Sequence, residues 1–212
     1  MKYTVEFIGT FFLVAVVVGS GIMAENISNG NVGVALLGNT IATGAILYVI
    51  IKMFAPLSGA HYNPAVSLVF YLKRELSLLD LIKYSIAQIV AGLLAVLIIH
   101  YIFEITILQV SKNVRGEFPL LISEIIATCG LILTILFVRK NDENSVAISV
   151  ALFITAGYWF TSSTSFANPA VTIARVFTDT FTGIAPESFI YFIPGQIIGA
   201  LLGHKIYSML DL

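Results

Sequence analysis

The tripeptide Asn-Pro-Ala occurs twice in this sequence, at Asn63-Pro64-Ala65 and at Asn168-Pro169-Ala170. Each copy opens an apolar segment of about ten residues, which is too short to cross a bilayer as a helix. Asn is a favoured N-cap residue, and Pro suits the first helical turn, where its missing N–H would have no partner anyway. The two copies therefore predict two short re-entrant helices, over 63–72 and 168–177, one in each half of the chain.

The composition is that of an integral membrane protein. Hydrophobic residues make up 58% of the 212 residues and charged residues only 11%, and the charges gather between long apolar stretches. Because backbone groups that face lipid must bond within their own segment, these stretches are expected to be helices. Six are candidate spans, of which the fifth is marginal in length: 5–24, 32–51, 81–103, 119–138, 146–161 and 188–207.

Several classes of protein are disfavoured by the sequence. A net charge of −1 gives no basic surface for nucleic acid. The single cysteine, Cys129, cannot form an internal disulfide. We find no Ser/His/Asp set, no phosphate-binding Gly loop and no metal-ligand cluster at workable spacing, so we expect no enzyme, cofactor or metal site. The first apolar stretch lacks a cleavage-site pattern and is expected to be retained as a helix.

The two halves of the chain are similar to each other. Residues 87–95 match residues 195–203, and Glu6 in the first span matches Glu124 in the fourth. Three spans per half is an odd number, so the second half must be inverted in the membrane, and the two short helices then face each other near the midplane. We therefore expect one membrane domain over 1–212, with inverted repeats at 1–104 and 118–212.

Two further patterns concern packing and orientation. Glycine recurs at every fourth position at Gly195, Gly199 and Gly203, a spacing typical of close helix packing. With the N-terminus inside, eight Lys and Arg residues fall on the cytoplasmic side and three fall outside. This asymmetry favours cytoplasmic N- and C-termini, and a prokaryotic plasma or inner membrane fits the sequence.

Together these features resemble the major intrinsic proteins, the family of aquaporins and aquaglyceroporins. The resemblance covers essentially the whole chain. It implies an all-α membrane protein with six transmembrane helices and two re-entrant half-helices around a narrow pore, and a homotetramer with one pore per subunit. The residues that carry it are 6–10, 58–66, 167–170 and 194–196, with Gln88 and Glu124.

In such a pore, the two short helices point their N-termini at each other. Each N-terminus carries about half a positive charge, so a cation between them meets a repulsive field. Asn63 and Asn168 are expected to donate amide hydrogens to a passing neutral molecule, which orients a water and interrupts a proton wire. The plainer role, in which each Asn only caps its helix, is compatible with this one.

Two carboxylates, Glu6 and Glu124, lie inside apolar spans and need partners there. We expect each to accept hydrogen bonds from the irregular backbone that leads into a short helix, with Gln88 and Gln196 bracing the same loops. A direct role in transport, as a proton relay or an ion ligand, is the alternative. The resemblance places His61 at the cytoplasmic pore entrance, and a lone histidine is not a metal site.

The outer selectivity filter is where the sequence departs from the family. Most members carry Arg directly after the second Asn-Pro-Ala, whereas this chain has Val171. Carrying the other filter positions over gives Thr43, Ala156 and Ser165, so the filter is expected to lack bulk and charge and to be wide. The pattern resembles a bacterial subgroup linked to passage of arsenous acid and related neutral metalloid hydroxides.

Arg175 lies four residues beyond Val171, one turn farther along the second short helix. One hypothesis is that it lines the outer vestibule as a displaced positive charge. The favoured interpretation is a salt bridge to Asp179, another four residues on, or snorkelling toward lipid headgroups.

The function indicated is a passive transmembrane channel for water and small neutral solutes, such as glycerol, urea or metalloid hydroxides. A mainly water-selective pore is the first alternative. An ion- or proton-leaky channel is less favoured because the helix ends repel cations, and a scaffolding role is less favoured because the loops are short. The expected partners are the lipid bilayer, the permeating molecules and the other subunits of a homotetramer.

Overall fold

The structure, a computed structural model, describes residues 1–210. Asp211 and Leu212, which end the predicted second repeat, lie outside the described residues. Residues 1–210 form eight α-helices and two 3₁₀ turns, at Glu143–Ser145 and Pro186–Ser188, and they form no strand. The helices are α1 (Lys2–Ile27), α2 (Val32–Ser58), α3 (Pro64–Leu72), α4 (Leu78–Ile102), α5 (Phe118–Asn141), α6 (Val146–Phe160), α7 (Pro169–Val176) and α8 (Phe189–Leu210).

Five helical segments of residues 1–210 are long and apolar enough to cross a membrane: α1, α2, α4, α5 and the segment Pro186–Leu210 that contains α8. α6 has 15 residues, or about 22 Å at 1.5 Å per residue, less than a hydrocarbon core of about 30 Å. The helix expected near 146–161 is therefore present but short, in line with its marginal apolar stretch. α3 and α7 have 9 and 8 residues and begin at the two prolines, as the motifs predict.

The ends of the long helices follow from local sequence. The side-chain oxygen of Asn31 accepts the Val34 N–H at 3.1 Å and so caps the first turn of α2. Gly59 ends α2 in a left-handed conformation with φ of +85°, which glycine adopts without a steric penalty. This turn directs the chain back into the protein as the first re-entrant loop.

The glycine stripe lies where α8 packs against α5. A Cβ atom added at Gly195, Gly199 or Gly203 would lie 2.8, 2.5 or 2.9 Å from a backbone carbonyl oxygen of α5. The two helices therefore approach as closely as their backbones allow, which confirms the packing role expected for these glycines. In the first half of the chain, α4 packs against α1 in the corresponding way.

We predict that Gly199→Ala destabilises the protein, because its new Cβ would overlap the Ile125 carbonyl oxygen, whose backbone cannot yield without moving α5. Overpacking of this kind costs about 1–3 kcal/mol. The measurement is the melting temperature of the detergent-solubilised protein. Gly33→Ala is the matched control, because Gly33 is exposed and its nearest outside atom would lie 3.4 Å from a new Cβ. Equal melting temperatures for the two variants would contradict the packing argument.

Candidate pore and selectivity filter

Both short helices begin in the same way. Asn63 precedes α3 and Asn168 precedes α7, each with an extended backbone and with Pro in the first helical turn. The side-chain oxygen of Asn63 accepts the Ala65 N–H at 2.9 Å, and that of Asn168 accepts the Ala170 N–H at 3.0 Å. Each asparagine therefore caps its own helix, as its position in the motif predicts.

The same two asparagines join the tips of the short helices to each other. The Nδ2 amide of Asn63 donates to the Ala167 carbonyl oxygen at 2.7 Å, in the loop that leads to α7. The Nδ2 amide of Asn168 donates to the Tyr62 carbonyl oxygen at 2.8 Å, in the loop that leads to α3. An amide nitrogen carries two hydrogens, and each crossing bond uses one of them. A second hydrogen thus remains on each asparagine for a molecule in the pore.

Both asparagines line one continuous cavity of about 650 Å³. At one end the lining includes Lys2 and Lys52, on the side that the basic residues predict to be cytoplasmic. At the other end it includes Ser165, Phe166, Val171 and Arg175. The tips of the two short helices therefore meet at the wall of this cavity.

His61 lines the cavity between its charged end and Asn63. Its ring lies 4.5 Å from that of Phe70, measured between centroids, and its Nδ1 is 3.0 Å from the Ser67 hydroxyl. The side chain is buried and fixed by these neighbours. The structure therefore brings His61 into the lumen with the asparagines, on the side where the resemblance places the entrance.

Glu6 holds the first re-entrant loop. Its carboxylate accepts the backbone N–H groups of His61 and Tyr62, at 2.9 and 2.6 Å. It also accepts the Ser58 hydroxyl at 2.7 Å and the Gln88 amide at 2.8 Å. The side chain is fully buried. Its oxygens therefore satisfy backbone groups that no helix or sheet pairs, as expected for a loop at membrane depth.

Glu124 holds the second loop with matching contacts. Its carboxylate accepts the backbone N–H groups of Phe166 and Ala167, at 3.0 and 2.8 Å, and the Gln196 amide at 2.7 Å. In both halves, the two N–H groups belong to the two residues that precede the capping asparagine. The two halves of the chain therefore build the same support for the pore loops.

The loop backbones match as well. Ala60 and Tyr62 have φ of +51° and +50°, and Ser165 and Ala167 have φ of +50° and +49°. These are the residues three and one positions before each asparagine, and residues other than glycine rarely adopt the left-handed region. The carboxylates hold the N–H groups of Tyr62 and Ala167, and the Ser58 and Ser163 hydroxyls accept those of Ala60 and Ser165, at 3.1 and 3.2 Å. These bonds compensate for the strain.

Three of the four residues expected at the filter come together, and one does not. Thr43, Ser165 and Val171 line the same end of the cavity.

Ala156 is exposed on the outer face of α6, in line with the exposed Leu152. The residues of α6 that line the cavity recur at every fourth position and end at Tyr158. Ala156 lies two residues before Tyr158, which places it about 200° around the helix from this lumen-facing row. The prediction for Ala156 is therefore wrong, and Tyr158 takes its place at the lumen.

The favoured interpretation of Arg175 is also wrong. Its side chain is only 4% exposed, and its guanidinium carbon lies 3.5 Å from the ring centroid of Phe166. Its Nε donates to the Thr182 carbonyl oxygen, while Asp179 accepts the backbone N–H of Lys112 at 2.9 Å. The expected four-residue pairing fails because α7 ends at Val176, before Asp179. Arg175 thus lies at the lumen, neither paired with Asp179 nor extended toward headgroups.

A second arginine reinforces this end of the protein. Arg115, in the loop between α4 and α5, donates to the Ser162 carbonyl oxygen at 2.8 Å, and its guanidinium carbon lies 5.6 Å from the ring centroid of Phe166. Burial lowers the pKa of this guanidinium from its usual value, and the nearby Glu124 opposes the shift. Phe166 is therefore in contact with two cationic side chains.

Comparison with known proteins decides the family. The family described as Major intrinsic protein matches residues 1–207. This chain belongs to the major intrinsic protein family. It is therefore an integral membrane channel and not an enzyme.

Individual relatives agree with this assignment. The aquaglyceroporin AqpS of Rhizobium meliloti (strain 1021) is 48% identical over 198 residues, which is 93% of this chain and 83% of that protein. Aquaporin Z of Photorhabdus laumondii is 27% identical over 230 residues, covering 99% and 96% of the two chains. The X-ray structure of the aquaglyceroporin from Plasmodium falciparum superposes with a TM-score of 0.80 at 20% identity, over 99% of this chain and 96% of that one. The aquaporin fold expected from the sequence is thus confirmed.

We predict that Asn63→Asp lowers water permeability by about tenfold or more. The aspartate can still cap α3, but it cannot donate to the Ala167 carbonyl oxygen, and a buried acceptor that loses its donor costs about 1–3 kcal/mol. Stopped-flow light scattering of proteoliposomes measures the rate. Asn31→Asp is the matched control, since Asn31 caps α2 at an exposed position. Water flux that is equal in both variants would show that the crossing bond is dispensable.

Proposed function

We propose that this protein is a passive channel for water and small neutral solutes that carry hydroxyl or amide groups. The observation that supports it is the pair of asparagine amides at the meeting tips of α3 and α7, both lining one cavity. Each tip carries about half a positive charge, and both tips face the same short stretch of lumen. A cation is repelled there, whereas a neutral molecule can accept the remaining amide hydrogens.

The filter residues favour solutes larger than water. Val171 stands where most family members carry Arg, and Thr43 and Ser165 beside it have small side chains. Glycerol, urea and metalloid hydroxides such as arsenous acid are the candidate solutes. The name of the Rhizobium meliloti relative, an aquaglyceroporin, supports a polyol among them.

Arg175 supplies the positive charge that is missing at position 171, where this chain has valine. Its guanidinium reaches the lumen from one turn farther along α7 and is held against Phe166. A fixed cation in surroundings of low dielectric repels mobile cations more strongly than it would in water. The channel is therefore proposed to exclude protons and ions although the filter position itself is apolar.

The remaining residues hold this arrangement. Glu6 and Glu124, with Gln88 and Gln196, fix the loops that carry the asparagines, and His61 lines the cytoplasmic entrance. The buried carboxylates bond to loop backbone rather than facing the lumen, which favours this supporting role over a proton relay. We further propose cytoplasmic N- and C-termini and a homotetramer with one pore in each subunit.

The experiment that tests this function is a solute panel on the purified protein in liposomes. We predict rapid shrinkage in hyperosmotic solution, followed by re-swelling in glycerol, urea and arsenous acid, each of which enters through the channel. Light scattering follows both phases, and protein-free liposomes give the background. Strong water flux without re-swelling in any of the solutes would instead establish the water-selective alternative.

We predict that Val171→Arg restricts glycerol and urea more than water, because Arg adds both length and charge at the filter. The ratio of glycerol to water permeability should fall by about tenfold, the scale on which a fitted pocket discriminates by one group. Val171→Leu adds bulk without charge and is the matched control, expected to give a smaller decrease. A ratio that is unchanged by both substitutions would place the size limit away from Val171.

A further inference from the structure

The filter residues form one end of the cavity. Its lining runs from Lys2 and Lys52 through both asparagines to Tyr158, Ser165 and Arg175. Within the described residues 1–210, the loop segments beyond Arg175 contribute nothing to it, although Thr182 and Ile184 bond directly to that residue. This ring of side chains therefore forms the end of the cavity farthest from Lys2 and Lys52.

Tyr158 is the largest uncharged side chain in this ring. It is 5% exposed, and its hydroxyl lies 3.2 Å from the Thr43 hydroxyl, on α2. The single hydrogen of the Thr43 hydroxyl goes to the Asn39 carbonyl oxygen at 2.8 Å, so Tyr158 must be the donor. This bond joins α6 to α2 at the end of the cavity.

A close helix–loop contact places Tyr158 in this position. A Cβ atom added at Gly157 would lie 2.6 Å from both side-chain atoms of Ser165. Because glycine has no Cβ, the loop leading to α7 packs directly on α6 at this point. The next residue, Tyr158, is then turned toward Thr43, and its neighbour Trp159 faces outward, with 53% of its surface exposed.

The ring also carries hydrogen-bonding groups that have no partner in the described part of the chain. The Ser165 hydroxyl is buried and unpaired. Arg175 bonds through Nε alone among the described residues, and its terminal amino groups keep their N–H donors. The Tyr158 oxygen, which donates to Thr43, can still accept a hydrogen bond. A molecule that both donates and accepts can therefore replace the Tyr158–Thr43 bond as it passes.

We propose that Tyr158 determines the specificity of this channel: its ring sets the size limit, and its hydroxyl bond to Thr43 must be exchanged for bonds to a hydroxyl-bearing solute. The proposal rests on the channel function given above and names the residue that selects among solutes. It assigns the bulk of the filter to α6, two residues beyond the position expected from the family.

The test compares the permeability of proteoliposomes to xylitol, a five-carbon polyol, with their permeability to water. Tyr158→Ala removes the ring and is expected to raise the xylitol-to-water ratio by about tenfold. Tyr158→Phe keeps the ring but removes the hydroxyl, and is expected to raise the ratio by about threefold, on the scale of one hydrogen bond. Trp159→Phe is the matched control and should leave the ratio unchanged, because Trp159 faces away from the lumen.

The outcomes separate this proposal from the channel function. If the wild type admits glycerol and Tyr158→Ala conducts water with an unchanged xylitol ratio, the role of Tyr158 is refuted and the function stands. If the wild type conducts only water and Tyr158→Ala admits polyols, the role of Tyr158 stands and the proposed solutes are wrong. Should Tyr158→Ala not yield folded protein, Tyr158→Leu makes the same test with an apolar side chain that is better packed.

Discussion

Two buried carboxylates make this pore possible. A loop that enters the membrane leaves N–H groups without helical partners, and each unpaired group at that depth costs several kcal/mol. Glu6 and Glu124 each accept two such groups, from the two residues before a capping asparagine. Without these bonds, Tyr62 and Ala167, the left-handed residues next to the asparagines, would lose the acceptors of their N–H groups, and the starts of the short helices would be less firmly fixed.

The asparagines then carry out two tasks that require an amide. A capping residue needs an oxygen acceptor, which Asp, Ser or Thr could also supply. The bond across to the opposite loop needs a donor on the same side chain, at 2.7 and 2.8 Å, and a carboxylate cannot give it. Only a side chain with both an acceptor and two donor hydrogens can cap one helix, join the other and still present a hydrogen to the lumen.

The parts that the sequence predicts well depend on backbone rules. The Asn-Pro pairs predict helix starts, and the structure begins α3 and α7 at Pro64 and Pro169. The spacing of Gly195, Gly199 and Gly203 predicts close packing, and it lies against α5. These features are local or periodic, so a single sequence contains what is needed to infer them.

The failures concern side chains whose position depends on where a helix ends or how it is rotated. The filter position carried over from the family falls on Ala156, and this transfer takes no account of how α6 is rotated. Val150, Ile154 and Tyr158 recur at every fourth position, and this spacing indicates which face of α6 lines the lumen. It could have identified Tyr158 as the lumen-facing residue. The pairing of Arg175 with Asp179 assumed a helix that continues past Val176, and nothing in the residue types alone marks that end.

Val171, at the position where the resemblance leads one to expect arginine, is only one part of this end of the lumen. Judged by position alone, Val171 leaves a filter that is wide and uncharged. In three dimensions, however, Tyr158 brings bulk from α6, and Arg175 brings charge from one turn farther along α7, both to the same end of the lumen. A long side chain acts where its terminal atoms lie rather than where its Cα lies, so the filter end of a lumen can hold both bulk and positive charge although position 171 is apolar. The selectivity proposed for this chain therefore depends on which side chains line the lumen, and the four filter positions carried over from the family include neither Tyr158 nor Arg175.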